Sequence, residues 1–460
     1  FYGMATFEGP LLSIKSVSGL AHYTDWIVGH VHTGALGWNG FMAAGMFYWL
    51  VPRLWGRDLH SKSAADAHFW MGTLGILLYA ISMWVSGVTQ GLMLRATNAE
   101  GALQYPTFVE TLIAIRPMYL TRIVGGVLYL GGYLVMVWNL IATIRAGSPV
   151  DTTVTVTEPE KKADLPWGAI VASKPVLISL AGIALIIGFL AANEIEITVL
   201  MLVCIVVLFV FAWLAFALGT GEDGRPNIHR VLEGRALLFT VFTLLAVLVG
   251  GIAELVPTLV VDKAVPKTGP IATPYRPLEV HGRDIYVREG CYVCHSQMIR
   301  PFRAEKLRYG EPSTAGEFIY DHPFQWGSKR TGPDLHRVGG KYSNLWHYNH
   351  LMNPQASTDG SNMPPYAFLA GRKIDLGDTA VKMSALKTLG VPYRPEDIAG
   401  GSKDAEEMGR AIATNLKADG NVDLPWDSEM TALIAYLQRL GKHPEPPKAG
   451  GAPVAQAQGQ

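Results

Sequence analysis

Apolar and polar positions alternate on two scales along the first 260 residues: long uncharged runs, separated by short charged loops. Between Asp25 and Arg53 there is no Lys, Arg, Asp or Glu, a run long enough to cross a bilayer as a helix. Comparable stretches at roughly 17–50, 66–93, 112–144, 175–193, 195–218 and 236–260 predict six membrane spans. Arg53, Arg57 and Lys62 follow the first span, and Arg225, Arg230 and Arg235 precede the last, which puts both loops in the cytoplasm. Alternating from there places Arg145, Lys161 and Lys162 inside, the Asn193–Glu196 turn outside, and everything after residue 260 outside. Residues 147–167, rich in Thr, Glu, Lys and Pro, read as a cytoplasmic linker. Beyond residue 265 the chain is polar with short helical patterns, and from about 444 a Gly, Ala, Pro and Gln tract reads as disordered. The pattern predicts a mostly α protein: a polytopic transmembrane bundle followed by an extracytoplasmic α domain.

Composition narrows the classes. The formal net charge is zero, and there is no basic arm, phosphate loop or zinc spacing, so a nucleic-acid role is excluded. Only three cysteines occur, too few and too unevenly placed for a disulfide framework. The first residue is Phe1 and no signal peptide is visible, so the sequence is expected to begin inside a longer protein.

Two places carry candidate chemistry. His30 and His32 lie within the first apolar run, where ionisable residues are rare and usually functional. Two residues apart on a helix is about 200° of rotation and about 3 Å of rise. The two imidazoles therefore cannot chelate one ion, but can each ligate one of two haems flanking the helix. Two histidines hydrogen-bonded inside a bundle is the other reading. The second place is Cys291-Tyr-Val-Cys294-His295, the attachment pattern of a c-type haem, with two thioethers and a proximal histidine. A thioredoxin-like pair or half a zinc site would need a parallel-sheet pattern or a second cysteine pair, and neither is present. The sixth ligand is expected from Met363, held on a stiff loop by Pro364, with Met298, Met352 and Met383 as competitors. Thr331–Leu335 is expected on the proximal side, where a proline carbonyl orients the His295 ring. Glu254, near the outer end of the last span, and His60, His68, His229, His322, His336, His347 and His350 are assigned to no metal.

These residues carry a resemblance. The stretch from Phe7-Glu-Gly-Pro10 through His22-Tyr-Thr-Asp25 to His30-Val-His32 resembles the end of the catalytic subunit of cbb3-type cytochrome c oxidases. Asn227–Arg230, Gly250–Glu254, Glu289–Pro301, Tyr320–Trp326 and Gly332–Asp334 resemble their membrane-anchored monohaem cytochrome c subunit. The resemblance implies catalytic-subunit helices over 1–146, a linker with two extra spans over 147–224, an anchor over 225–262, a periplasmic class I cytochrome c-like domain over 263–443, and the tail 444–460. In the family the catalytic subunit ends inside and the cytochrome subunit starts inside, so a fusion needs an even number of intervening spans; the linker has two. The resemblance makes His30 the ligand of haem b3 iron and His32 a ligand of haem b iron. Cys291 and Cys294 hold haem c, with His295 and Met363 on its iron. Glu8 resembles an acidic residue of proton transfer, with structural hydrogen bonding as the other reading. His22, eight residues before His30, would lie about 12 Å further out by helical rise and meet haem propionates. The copper ligands of the family fall upstream of Phe1.

The implied function is terminal oxidation in a bacterial inner membrane. Electrons from a soluble cytochrome c pass through haem c and haem b to haem b3 and copper, and O2 is reduced to water with proton pumping. Implied partners are membrane lipid, the upstream part of the catalytic subunit and a dihaem cytochrome c subunit. Nitric oxide reduction and a non-catalytic anchored electron carrier are the alternatives.

Overall fold

The computed structural model describes residues 1–151 and 271–442, with scattered positions between 168 and 251. By its contacts the chain divides into one unit made of Phe1–Asp151 and Leu259–Gln460 and a second spanning Thr152–Thr258. The described residues are mostly helical, and their only β pairings are isolated bridges. Leu177, Val203 and Leu248, one in each of the last three expected spans, are helical and exposed. The rest of those spans, Glu254, His229 and the tail after 442 lie largely outside the described residues.

The membrane part begins with α1 (Tyr2–Ser13) and α2 (Lys15–Ala21). The chain breaks at His22–Thr24, where Tyr23 takes φ of 71°. A new helix, α3 (Asp25–His32), starts behind Thr24, whose hydroxyl accepts from Trp26 N–H at 3.3 Å. That cap satisfies a donor which the helix itself leaves free. The expected first span is therefore corrected twice: α1 precedes it as a helix of its own, and the long helix begins at Asp25 rather than 17. The polar Tyr-Thr-Asp triplet ends one helix and starts the next. The helix then runs through a π-helical stretch, Thr33–Gly40, into α4 (Phe41–Leu54). Tyr129 donates to the Leu36 carbonyl at 2.9 Å, satisfying an acceptor within the wide turn. Before the π-helical stretch the helix packs on α5; beyond it, on α6.

The helices α5 (Lys62–Arg95) and α6 (Phe108–Ala146) are both long and apolar enough to cross a membrane. They pack along their whole length through small residues. A Cβ on Gly75 would lie 2.6 Å from Tyr129 N, and one on Gly125 would lie 2.6 Å from Gly75 O. Close backbone approach of this kind holds helices together in lipid, where apolar burial gives little drive. Outward faces carry Leu120, Ile123, Val127 and Leu134, all exposed, as a lipid-facing surface requires.

Residues 271–442, in the same unit, form a helical body around a main core, with a smaller cluster at Met383, Val391 and Tyr393. Its first helix, α7 (Pro277–Arg288), crosses its last, α15 (Glu429–Arg439), numbering the intervening helices in chain order. Pro277 opens α7, and Glu279 accepts from Arg276 N–H at 2.7 Å; Ser428 caps α15 by accepting from Thr431 N–H at 3.1 Å. Leu278, Ile285, Tyr286, Leu433 and Tyr436 meet between the two helices, all buried. Arg288 closes one end on Glu429 at 2.5 Å.

His281, on α7, is buried with both ring nitrogens engaged: Lys382 Nζ lies 3.2 Å from Nδ1 and Thr379 Oγ1 2.8 Å from Nε2. Lysine can only donate, so Nδ1 accepts and Nε2 carries the proton. Burial, reinforced by Lys382, lowers the pKa to about 4 from 6.5. The folded state thus disfavours the protonated ring. The contribution is complete above about pH 6.5 and is lost as pH falls towards 4. Urea unfolding at pH 7 and pH 5 is expected to show a loss of about 2 kcal/mol in the native chain from this group, absent in His281→Asn. Equal pH dependence in the two proteins would contradict this.

Candidate haem sites

The Cys-Tyr-Val-Cys segment forms a single helical turn, α8 (Cys291–Cys294), behind Gly290, whose φ of 71° turns the chain out of α7. The turn places Cys291 and Cys294 on one side, and His295 follows with extended backbone. Both thiols are free. His295 Nδ1 lies 2.8 Å from the Pro333 carbonyl oxygen, to which it donates, so Nε2 keeps its lone pair for a metal. Burial lowers the His295 pKa, favouring the neutral, ligating ring. The expected proximal role of Thr331–Leu335 is thus present as geometry. That loop is pinned at both ends: Thr331 N–H and Gly332 N–H donate to the Cys294 carbonyl at 2.8 and 3.0 Å, and Leu335 N–H donates to the Ser296 carbonyl at 2.9 Å. Asp334 accepts from Ser296 Oγ at 2.5 Å and from Met298 N–H at 2.9 Å.

Cys291, Cys294, His295 and Met363 all line one cavity of about 370 Å³, walled by Tyr286, Leu351, Leu433 and Leu437. The donor set is that of a covalently held haem: two thiols, an imidazole nitrogen and a thioether in an apolar pocket. Tyr309 Oη and His347 Nε2, buried without hydrogen-bond partners, also belong to residues of this cavity. The residues fit the group. Of the competing methionines, Met383 is buried in a separate cluster, Met352 packs against the main core, and Met298 does not line the cavity. His347 and His350, assigned to no metal from the sequence, line the cavity, with His350 Nδ1 2.7 Å from Ser357 Oγ; burial lowers each to a pKa of about 4, which favours the neutral rings. One wall was not legible at all: Phe108, Val109 and Leu112, from the first turns of α6, close the cavity from the membrane part.

The paired histidines do point apart. His30 Nδ1 lies 3.2 Å from Glu8 Oε2 on α1, whereas His32 donates from Nδ1 to the Val28 carbonyl at 2.8 Å and its ring lies 5.0 Å from that of Tyr79 on α5. Among the described residues neither Nε2 has a hydrogen-bond partner, so each ring keeps a nitrogen that could ligate a metal. Glu8 is buried and also accepts from the Trp26 indole N–H at 2.5 Å. Both readings of Glu8, proton transfer and structural hydrogen bonding, use a carboxylate held in this way against the histidine. His22 differs from expectation: it ends α2, outside the helix of His30, so helical rise does not set their separation. Its ring stacks on Tyr23 at 4.1 Å. Among the described residues no cluster of three or more His, Cys, Asp or Glu is placed to hold a bare metal ion.

Comparison with known proteins agrees with both halves. Residues 1–128 match the family described as cytochrome c and quinol oxidase polypeptide I, and residues 229–443 match the mono-haem subunit of cytochrome c oxidase, FixO. The chain is 54% identical over 160 residues to cytochrome c oxidase subunit 1 of Rhodobacter capsulatus, covering 35% of this chain and 30% of that protein. It is 49% identical over 152 residues to the cbb3-type cytochrome c oxidase subunit CcoN1 of Stutzerimonas stutzeri, covering 33% of this chain and 32% of that one. The chain spans about a third of the length of these curated relatives. Two oxidase-subunit family models thus match separate stretches of this chain, one over its first 128 residues and the other over 229–443. More particularly, a stretch that matches the polypeptide I family and one that matches the mono-haem-subunit family follow one another in the same chain, a cbb3-type fusion-like pattern.

Proposed function

We propose that this chain is the C-terminal part of the catalytic subunit of a cbb3-type terminal oxidase fused to its periplasmic monohaem cytochrome c domain, in a bacterial inner membrane. The observation that carries the reading is the convergence of Cys291, Cys294, His295 and Met363 on one cavity whose far wall is the start of α6. Bound haems would supply one-electron carriers and, with copper held by upstream residues, the site of O2 reduction. Cys291 and Cys294 anchor haem c, His295 and Met363 ligate its iron, and the Pro333 carbonyl fixes the His295 ring. His32 holds haem b from one side of α3 and His30 holds haem b3 from the other. Glu8, bonded to His30, makes that imidazole more electron-rich. A soluble cytochrome c donor and a dihaem cytochrome subunit are the proposed partners, and proton pumping is the proposed coupling.

The test is a pyridine haemochrome spectrum of the purified full-length protein with copper analysis on the same sample. Haem c with two haems b and one copper is expected. Haem c alone would reduce the chain to an anchored electron carrier.

A further inference from the structure

The turn that leads into the proximal loop of the haem c cavity is bolted to the start of the helix that carries His30 and His32. Arg330 N–H donates to the Tyr23 carbonyl at 3.0 Å, and Lys329 Nζ lies 2.6 Å from Asp25 Oδ1. Gln90, on α5, completes a ring: its Oε1 accepts from Asp25 N–H at 2.9 Å and its Nε2 donates to the Arg330 carbonyl at 3.2 Å. Ser86 donates to the other Asp25 oxygen at 2.5 Å. Asp25 is fully buried and the Lys329 side chain only 13% exposed. The Arg330 guanidinium, 2% exposed, lies 4.3 Å from the Tyr23 ring centroid and bonds to Ser296 Oγ at 2.6 Å.

A buried ion pair is weak as a source of stability, because desolvation offsets its attraction, but it is selective about register. Here the register it fixes joins residues more than 300 positions apart, one strand of the contact being the N-terminus of α3 and the other the loop against His295. The bonded route is short: from Cys294 through its carbonyl to Thr331 N–H, along one peptide to Arg330, and from Arg330 N–H to Tyr23, on whose ring His22 stacks.

Resting on the function proposed above, we infer that Lys329 and Arg330 are positioning residues for electron exit: clamped on Tyr23 and Asp25, they set the haem c centre at a fixed separation from α3 and provide the bonded route between them. With haems bound at His295 and His32, the step would be a one-electron transfer, one iron going from ferrous to ferric and the other from ferric to ferrous, with no bond made or broken.

The experiment uses the full-length holoenzyme with Lys329→Gln, the charge-neutral pair Asp25→Asn/Lys329→Gln, and Lys329→Arg as the conservative variant. Electron exchange between haem b and haem c is timed as the backflow that follows flash photolysis of the CO-bound mixed-valence state, in which the released electron runs from haem b3 through haem b to haem c. Amide exchange across 329–331, the haem c spectrum and its midpoint potential are measured alongside. The first two variants are expected to show faster exchange at Arg330 and transfer slowed about tenfold or more, with spectrum and potential unchanged and substantial recovery in Lys329→Arg. The charge-neutral pair guards against a folding defect caused by one unpaired buried charge. Faster exchange with transfer at the native rate would overturn the inference and leave the clamp a purely structural joint. A native protein with haem c but no haem b would instead overturn the function on which the inference rests, and the inference with it.

Discussion

Cys291→Ser/Cys294→Ser is expected to abolish the haem-staining band of this chain on a denaturing gel. Only a thioether survives denaturation, and the two thiols of the cavity are the only cysteines on its wall. Single substitutions are expected to leave a weak band through the remaining thioether. The rest of the molecule predicts where the damage stops: His30 and His32 sit on α3, held by Glu8 and the Val28 carbonyl, and depend on neither thiol. The double variant should therefore retain the b-type haem absorbance while losing the c-type band, and electron entry from a soluble donor should fall to background. A stained band of native intensity in the double variant would remove the thioether assignment.

Gly332→Ala is expected to have an effect nearly as large by a different route. A Cβ at 332 would lie 2.2 Å from His295 Cε1 and 2.7 Å from Nε2, closer than atoms can approach. The ring cannot turn aside freely, since Nδ1 is held by the carbonyl of the next residue, Pro333. Nor can the backbone retreat, because Thr331 and Gly332 are both bonded to Cys294 O. The variant should still attach haem through its cysteines but lose the proximal bond, shifting the spectrum from low to high spin and lowering the midpoint potential by a sizeable part of the ~0.8 V that axial ligands command. Wild-type spectrum and potential in Gly332→Ala would show that the ring does not sit over this residue when haem is bound.

What could be read in the sequence was what is fixed by covalent spacing. The Cys-x-x-Cys-His turn and the opposed His30 and His32 are each decided within a few residues, while Pro333 and Met363, 38 and 68 positions past His295, could be picked out by the short motifs around them. Contacts made across hundreds of residues were not legible. Nothing near Asp25 announces that Lys329 will neutralise it, and nothing in the apolar start of α6 announces that Phe108 and Val109 will wall a cavity lined by residues near 291 and 363. The break at Tyr23 was missed for another reason: a positive φ at a bulky residue is costly, and it persists here because Tyr23 is buried beneath two guanidinium groups, those of Arg300 and Arg330. Glu8 stood out as a buried acid, but its partner His30 is 22 positions along, on a helix whose start the apolar run concealed.

The π-helical turn after His32 bears on more than one broken ladder. An extra residue per turn rotates everything downstream by roughly 100° relative to an unbroken α-helix. Residues 25–32 therefore take the azimuth that packing on α5 and the bond from His30 to Glu8 set, and residues 41–54 the azimuth that α6 sets, within one continuous rod. The offset is confined to Thr33–Gly40, so the two helical segments on either side each keep regular α-helical geometry.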